Sequence, residues 1–291
     1  MPRLYRFDGS TGMDLRPIEE IEASEALERE RRRRRHPMPV TRLVGSVAQP
    51  PEGLLPLSLF GRARLGDRVR LAPLSAETVA PDLVGLYVDY MTRVASGQSK
   101  RFAFHVPLAG ARLVGESARA ESLLAGIDGF GRAAARNACL LLDYDSASRR
   151  GPAYWRPRRM VPDEATYRNL TRMVARSRVF LDRYGPTVWD GFGFDGGYTD
   201  AVTSGSGDFL TADTLWDFKV SIHRPIPAWT LQLLVYWRLG VHSVHAEYGS
   251  VRRLGFFNPR RDEVWLVDVD RIDAALVDWT DHELIGYPRT A

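Results

Sequence analysis

Two aspartates and a lysine in the segment "GSGDFLTADTLWDFKVS" (205–221) have the spacing of a reactive site. Read as a strand, "TLWDFKVS" puts Leu215, Asp217 and Lys219 on one face, because successive side chains alternate. Trp216, Phe218 and Val220 take the other face, which is expected to be buried. The preceding strand, "DFLT", is joined by a very short loop. If Ala212 and Asp213 form that loop, Thr211 pairs with Thr214, Leu210 with Leu215, Phe209 with Trp216, and Asp208 meets Asp217. Directly opposed residues have Cβ atoms about 4.5–5.5 Å apart, and like charges there repel. The apolar pairs fall together in this register, which supports it.

Two remedies for that repulsion are open. One carboxyl can keep its proton, as in an acid–base dyad. Alternatively a divalent cation can sit between them, since Mg²⁺ favours one or two carboxylates with water and phosphate oxygens completing the shell. Lys219 then binds a phosphate or orients an attacking water. The chain has 40 basic residues, of which only Lys100 and Lys219 are lysines. Arginine suits this position less well, because its broad fork never deprotonates whereas an ammonium is compact and tunable. The competing reading is a structural ion pair on an exposed sheet face.

Several elements must position this group. Gly205 and Gly207 let the backbone before Asp208 approach a neighbour closely. Downstream, "AWTLQLLVYWRLG" reads as a helix ending at Gly240, with Gln232 and Tyr236 on one face. "SVRRLGFFNPRRDEVWLVDVD" reads as a hairpin turning at "NPRRD". Upstream, "SAETVAPDLVGLYVDYMTRVASG" reads as a helix capped by Ser75 or Thr78 and ended by Gly97, with Leu83, Leu86, Tyr87, Tyr90 and Val94 on one side. A further helix spans Asp163 to Tyr184, before Gly185 and Pro186. Its Arg168, Arg172, Arg176 and Arg183 form a basic stripe that is either solvated or a nucleic-acid contact. The aromatic, basic loop "RRGPAYWRPRRM" precedes it.

Together these residues resemble the PD-(D/E)XK nuclease superfamily, and within it the RecB-like exonuclease type. "GSGD" (205–208), "DFK" (217–219) and "QLLVY" (232–236) follow the order of that family's motifs. "LVGLYVDYMTRV" is similar to its upstream helix, with Asp89 at the ligand position four residues after Gly85. Histidine is common there, so aspartate is a departure; Glu164 and Asp182 are the alternatives. The resemblance covers about residues 80–96 and 197–270. The order of elements along the chain suggests an α/β domain with a mixed sheet flanked by helices, and the resemblance implies that this is a restriction-endonuclease-like core. A helical insertion would occupy about 97–190, with a loosely organised N-terminal extension over 1–75 and the nuclease-like domain over 76–291. It also implies Mg²⁺ or Mn²⁺ held by Asp208, Asp217, the Phe218 carbonyl and Asp89. Lys219 would handle the attacking water, and Gln232 and Tyr236 would brace the site or touch the strand. The implied reaction is phosphodiester hydrolysis, with DNA as the expected partner. The alternatives are a nucleic-acid-binding protein that keeps the fold without turnover, and a hydrolase using the two carboxylates as acid and base, for example on glycosides.

Composition is compatible with this. The 291 residues carry a formal net charge of +4 and are 44% hydrophobic, as in a globular protein that can accept a polyanion. No apolar run reaches the ~18 residues of a membrane span. A single cysteine, Cys139, excludes an internal disulfide and reads as a buried helical thiol. These features fit the cytoplasm. "IEEIEASEALERERRRRRH" reads as a charged helix whose Arg31–Arg35 end is solvated or touches phosphate. His242, His245 and His223 read as surface, packing or loop residues, and Trp229, Trp237 and Trp265 as core. "GFGFDGG" precedes a strand rather than a helix, so it is not a phosphate-cradling loop.

Overall fold

The computed structural model describes residues 37–289, and the backbone of two short antiparallel strands, β1 (Phe7–Asp8) and β2 (Gly12–Met13). The expected charged helix at 18–36, with Arg31–Arg35, lies outside the described residues. A second short pair, parallel, joins β3 (Met38–Pro39) to β6 (Val202–Ser204).

The main sheet has six strands. They are β4 (Gly61–Arg64), β5 (Thr187–Asp190), β7 (Phe209–Thr211), β8 (Thr214–Phe218), β9 (Arg253–Asn258) and β10 (Glu263–Asp268). Their spatial order is β4-β10-β9-β8-β7-β5. Only β8 and β9 run parallel, and the helix between them, α9 (Pro227–Val241), is the crossover such a pair requires. The fold is thus mixed α/β, with a mixed sheet flanked by helices.

Strand alternation decides what each face buries. Leu210, Leu215, Leu254 and Phe256 pack with Leu231, Leu234 and Val235 of α9, in a core that Val40 and Leu43 of α1 (Val40–Ser46) extend on the far side of α9. The opposite face presents Phe209, Trp216, Phe257 and Val264 to Phe180 of α8 (Glu164–Tyr184). The Phe180 ring stacks on Phe257 at 4.3 Å and meets Trp216 edge-on at 4.7 Å. Each such fully buried ring contributes about 2–3 kcal/mol from lost water contact.

A third core is helical. It joins Leu83, Tyr87, Val88 and Met91 of α2 (Pro81–Ala95) to Leu170 and Met173 of α8. Between these two helices lie α3 (Lys100–Ala103), α4 (His105–Leu113), α5 (Ser117–Ala125), α6 (Arg132–Leu142) and α7 (Asp145–Arg150). Cys139 sits buried in α6, and burial pushes its thiol up to about 12.

Three expectations shift. Residues 38–64, expected within a loose N-terminal extension, belong to the sheet unit. Val40, Leu43, Val44 and Leu55 are core residues, and Gly61–Arg64 is an edge strand. Neither Ser75 nor Thr78 caps α2. The helix opens on Pro81, whose fixed φ suits the first turn, and Ala80 stands at the cap without a side-chain bond. Thr78 is used elsewhere: its N–H donates to Thr166 Oγ1 at 2.8 Å, tying this segment to the start of α8. The helical segment is also more than an insertion, because the C-terminal half of α8 covers one face of the sheet. That helix begins as expected, with the Asp163 carboxylate accepting from the Thr166 N–H at 2.8 Å.

Candidate functional site

The β7–β8 hairpin has the expected register, Phe209 opposite Trp216 and Leu210 opposite Leu215. Continuing it one step sets Asp208 against Asp217. The Asp208 carboxylate is fixed by the Phe218 N–H, which donates to its Oδ2 at 2.5 Å. Beyond β8 the Lys219 N–H donates to the Phe257 carbonyl at 3.0 Å, so the parallel ladder still controls Lys219's direction. Asp217 and Lys219 therefore emerge on the same face.

The lysine ammonium lies 2.6 Å from Asp217 Oδ2 and 3.4 Å from Gln232 Oε1, with the Trp229 ring 5.6 Å away. The Asp217 contact is an ion pair rather than an aligned hydrogen bond, and that oxygen has no directional donor. Gln232 in turn donates from Nε2 to the Tyr236 hydroxyl at 2.7 Å. Their spacing on α9 makes this possible, since residues four apart stack on one helix face. The Tyr236 ring is held by Phe194 at 5.2 Å and Phe192 at 6.2 Å.

Those two phenylalanines come from "GFGFDGG", whose role as a brace the sequence did not disclose. This loop, together with Val40 of α1, also explains the glycines of "GSGD". A Cβ on Gly207 would lie 1.8 Å from the Phe192 ring, and one on Gly205 would lie 2.9 Å from Val40. Only glycine lets the backbone pass between these side chains on its way to Asp208.

A cavity of about 340 Å³ collects the expected residues. Gly85 and Asp89 of α2 line it opposite Asp208, Asp217, Phe218, Lys219, Gln232 and Tyr236. Asp89 is engaged by Arg93, at 3.0 Å and 3.3 Å, one turn along the helix. Arg149 of α7 also lines the cavity; its Nε donates to Asp145 at 2.6 Å, and Asp145 accepts from the Tyr90 hydroxyl at 2.6 Å. No short-range motif marks Arg149, which reaches the site only through the helical core.

Burial, then the Asp217 and Asp89 charges, push the Asp208 carboxyl up to about 7 against the opposing pull of Lys219. Asp217 is 5% exposed, and burial raises its carboxyl too, with Lys219 pulling the other way. Asp208 itself is half-buried at the cavity wall, so solvent there screens part of the effect. Tyr236 is held protonated by burial and by the Asp217 charge.

Other named residues lie elsewhere. Glu164 pairs with Arg168 at 2.6 Å at the start of α8 and does not line this cavity. Asp182 lines an adjacent cavity of about 690 Å³ that shares Asp89 and Phe218 with the first. In the arginine stripe, Arg168 is exposed and Arg183 lies over the Tyr184 ring at 5.7 Å. Arg172 and Arg176 both clamp Asp67, and Arg176 also donates to the carbonyls of Val69, Pro259 and Arg260. Those two bind the chain to itself. His242 stacks on Tyr287 at 3.8 Å, and His245 lies 3.2 Å from Asp195. His223 is exposed in the loop after Lys219. Trp229 and Trp237 are partly buried, and Trp265 is 6% exposed.

The donor set suits a hard divalent cation of the Mg²⁺ or Mn²⁺ kind. Two acidic groups resist ionising beside each other, and an Asp217 oxygen lacks an aligned donor. Among the described residues, no three His, Cys, Asp or Glu side chains close around a metal position. The fit is therefore to two carboxylates with water or substrate oxygens supplying the rest, the mode Mg²⁺ prefers. Comparison with known protein families, curated proteins and solved structures finds no match. Among the described residues no helix is long and apolar enough to cross a membrane.

Proposed function

We propose that the protein is a metal-dependent nuclease that hydrolyses phosphodiester bonds of DNA, built on a restriction-endonuclease-like core of the PD-(D/E)XK type. One observation carries this reading: Asp208, Asp217, Lys219, Gln232 and Tyr236 converge in one cavity, with Asp89 across from them. A structural ion pair would leave no reason for a second opposed carboxylate, a glutamine–tyrosine relay and an arginine to face the same space.

A divalent cation bound by Asp208 and Asp217 would polarise the phosphate and make water a stronger nucleophile at neutral pH. The chain's own groups do the rest. Lys219, steadied by Asp217, Gln232 and the Trp229 ring, presents N–H donors to an attacking water or a phosphate oxygen. Gln232 is oriented by donating to Tyr236, which leaves its Oε1 to fix the ammonium. The Tyr236 hydroxyl accepts from Gln232 and keeps its own proton available for a substrate oxygen. Arg149, anchored on Asp145, offers a planar donor fork to a phosphate entering from the helical side.

The test is hydrolysis of end-labelled and circular DNA, single- and double-stranded, with Mg²⁺, Mn²⁺ or EDTA. The expected result is metal-dependent cleavage, reduced at least about 10²-fold in Asp217→Asn and in Lys219→Met, as for loss of one preorganised charged group. Lys219→Arg should also fail, because its fork cannot occupy the ammonium's place between Asp217 and Gln232. If neither DNA nor RNA is cleaved with either metal, the catalytic reading is wrong. Binding without cleavage, unaffected by Asp208→Ala, would indicate a non-catalytic nucleic-acid-binding protein.

A further inference from the structure

The sheet register carries the candidate site's face toward a second feature that the nuclease motifs do not include. Asp217 pairs with Phe256, Phe256 with Trp265, and Trp265 with Arg62 on the edge strand β4. Directly paired residues share a face, so Arg62 stands on the same side of the sheet as Asp217. Three strand spacings separate them, about 14 Å.

Arg62 is not alone there. Glu263, fully buried, gathers Arg62 at 2.5 Å, Arg64 at 3.4 Å and Arg261 at 3.1 Å. One carboxylate thus holds three guanidinium groups in a fixed array and neutralises only one of them. Arg62 and Arg224 lie over the Trp265 ring at 5.5 Å and 6.0 Å. Arg68 and Arg70, exposed on the loop after β4, meet no acidic side chain among the described residues. Arg64, Arg68, Arg70 and Arg261 line an open cavity of about 880 Å³.

The loop between Lys219 and α9 connects the two places. Asn258 donates to the Ser221 carbonyl at 2.7 Å, and Arg261 donates to the Ile222 carbonyl at 2.7 Å. The chain leaving the catalytic lysine is therefore pinned along the basic rim and delivers Arg224 to it.

We propose that Arg62, Arg64, Arg68, Arg70, Arg224 and Arg261 form a strip that binds the phosphates of a polynucleotide whose scissile bond lies at the Asp208–Asp217 pair. This deepens the nuclease reading and rests on it for the position of the scissile bond. The strip is overwhelmingly arginine, has excess positive charge at its exposed ends, and joins the site along the 221–224 loop, because Phe256 and Trp265 between Arg62 and Asp217 are buried under α9. At the 3.4 Å rise of one duplex strand, 14 Å spans about four nucleotides. A strand held at the strip is thus anchored several nucleotides from the reaction, and contacts to phosphate carry no sequence preference.

The test compares wild type with Arg64→Ala/Arg68→Ala/Arg70→Ala, and with Arg68→Ala/Arg70→Ala, which breaks no ion pair. Affinity for a labelled 30-nucleotide DNA is measured in EDTA between 50 and 200 mM salt, alongside hydrolysis of bis(4-nitrophenyl) phosphate with Mn²⁺. Each lost phosphate contact flattens the plot of log affinity against log salt by about 0.7–0.9. The triple variant should therefore flatten it by about 2–3 and the double by about 1.5–2, with hydrolysis of the small ester unchanged. Unchanged slope and affinity in both folded variants would overturn the strip, as would a wild type that binds no DNA. If the slopes flatten but wild type cleaves neither DNA nor the small ester, the strip stands and the catalytic reading falls.

Discussion

Replacing Asp208 by asparagine should stabilise the metal-free protein at alkaline pH while removing activity. The Asp208 carboxyl is pushed from an ordinary value of 3.8 up to about 7, first by burial and then by Asp217 and Asp89. The folded state therefore binds more protons than the unfolded chain between pH 4 and 7, and stability is lost as pH rises through that window. Three units at 1.36 kcal/mol each give about 4 kcal/mol as a ceiling. Asp208 is half-buried at the wall of an open cavity, so about 2 kcal/mol is the expected effect after screening. Asparagine keeps an oxygen for the Phe218 N–H, now 2.5 Å from Asp208 Oδ2, and carries no charge to repel Asp217. Thermal unfolding in EDTA should show Asp208→Asn melting about 4–8 °C above wild type at pH 8, and the two converging near pH 4. Adding Mn²⁺ at pH 8 should raise the wild-type midpoint and narrow the gap, because a ligand of the native state stabilises it. A variant equally or less stable than wild type at pH 8 would refute the repulsion between these carboxylates.

Two glycines of the candidate site should behave oppositely. Gly207→Ala should destabilise by about 1–3 kcal/mol or prevent folding, because its Cβ would enter the Phe192 ring. A Cβ on Gly85 meets nothing within 4 Å, so Gly85→Ala should raise helix stability by up to about 1 kcal/mol while narrowing the space beside Asp89; denaturant melts and kcat together check both. Arg176→Met should lower stability by at least about 1–3 kcal/mol, measured by urea unfolding, because it leaves three buried backbone carbonyls without their donor while Asp67 keeps only Arg172; a variant that kept full stability and lost only DNA affinity would restore the stripe on α8 as a binding surface.

The hairpin was legible because its signal is local. A two-residue loop and two apolar pairs fix the register, and the register alone places Asp208, Asp217 and Lys219. Gln232 and Tyr236 were legible for the same reason, through helical spacing. The arginine stripe misled because periodicity reports a shared face and not what covers it: Arg172 and Arg176 share a sector with Arg168, but Asp67, a hundred residues away, reaches only the first two. Edge strand β4 was hidden in a proline-rich stretch, where "GRAR" has no apolar alternation to reveal it. Arg149, Phe192 and Phe194 come together with the carboxylates through tertiary packing, which no window of the sequence contains.

Along β8 and just past it, consecutive side chains go to different interiors. Leu215 enters the core under α9, Trp216 and Phe218 enter the aromatic layer under α8, and Val220 packs on the helical unit. The two residues left between them are Asp217 and Lys219. With its neighbours anchored in three different interiors, the backbone at this point cannot drift to ease the acids apart. The site is thus held like a rigid vice, and under the proposed metal-dependent reading the choice between holding a proton and holding a metal ion would fall to solution conditions rather than to motion of the chain.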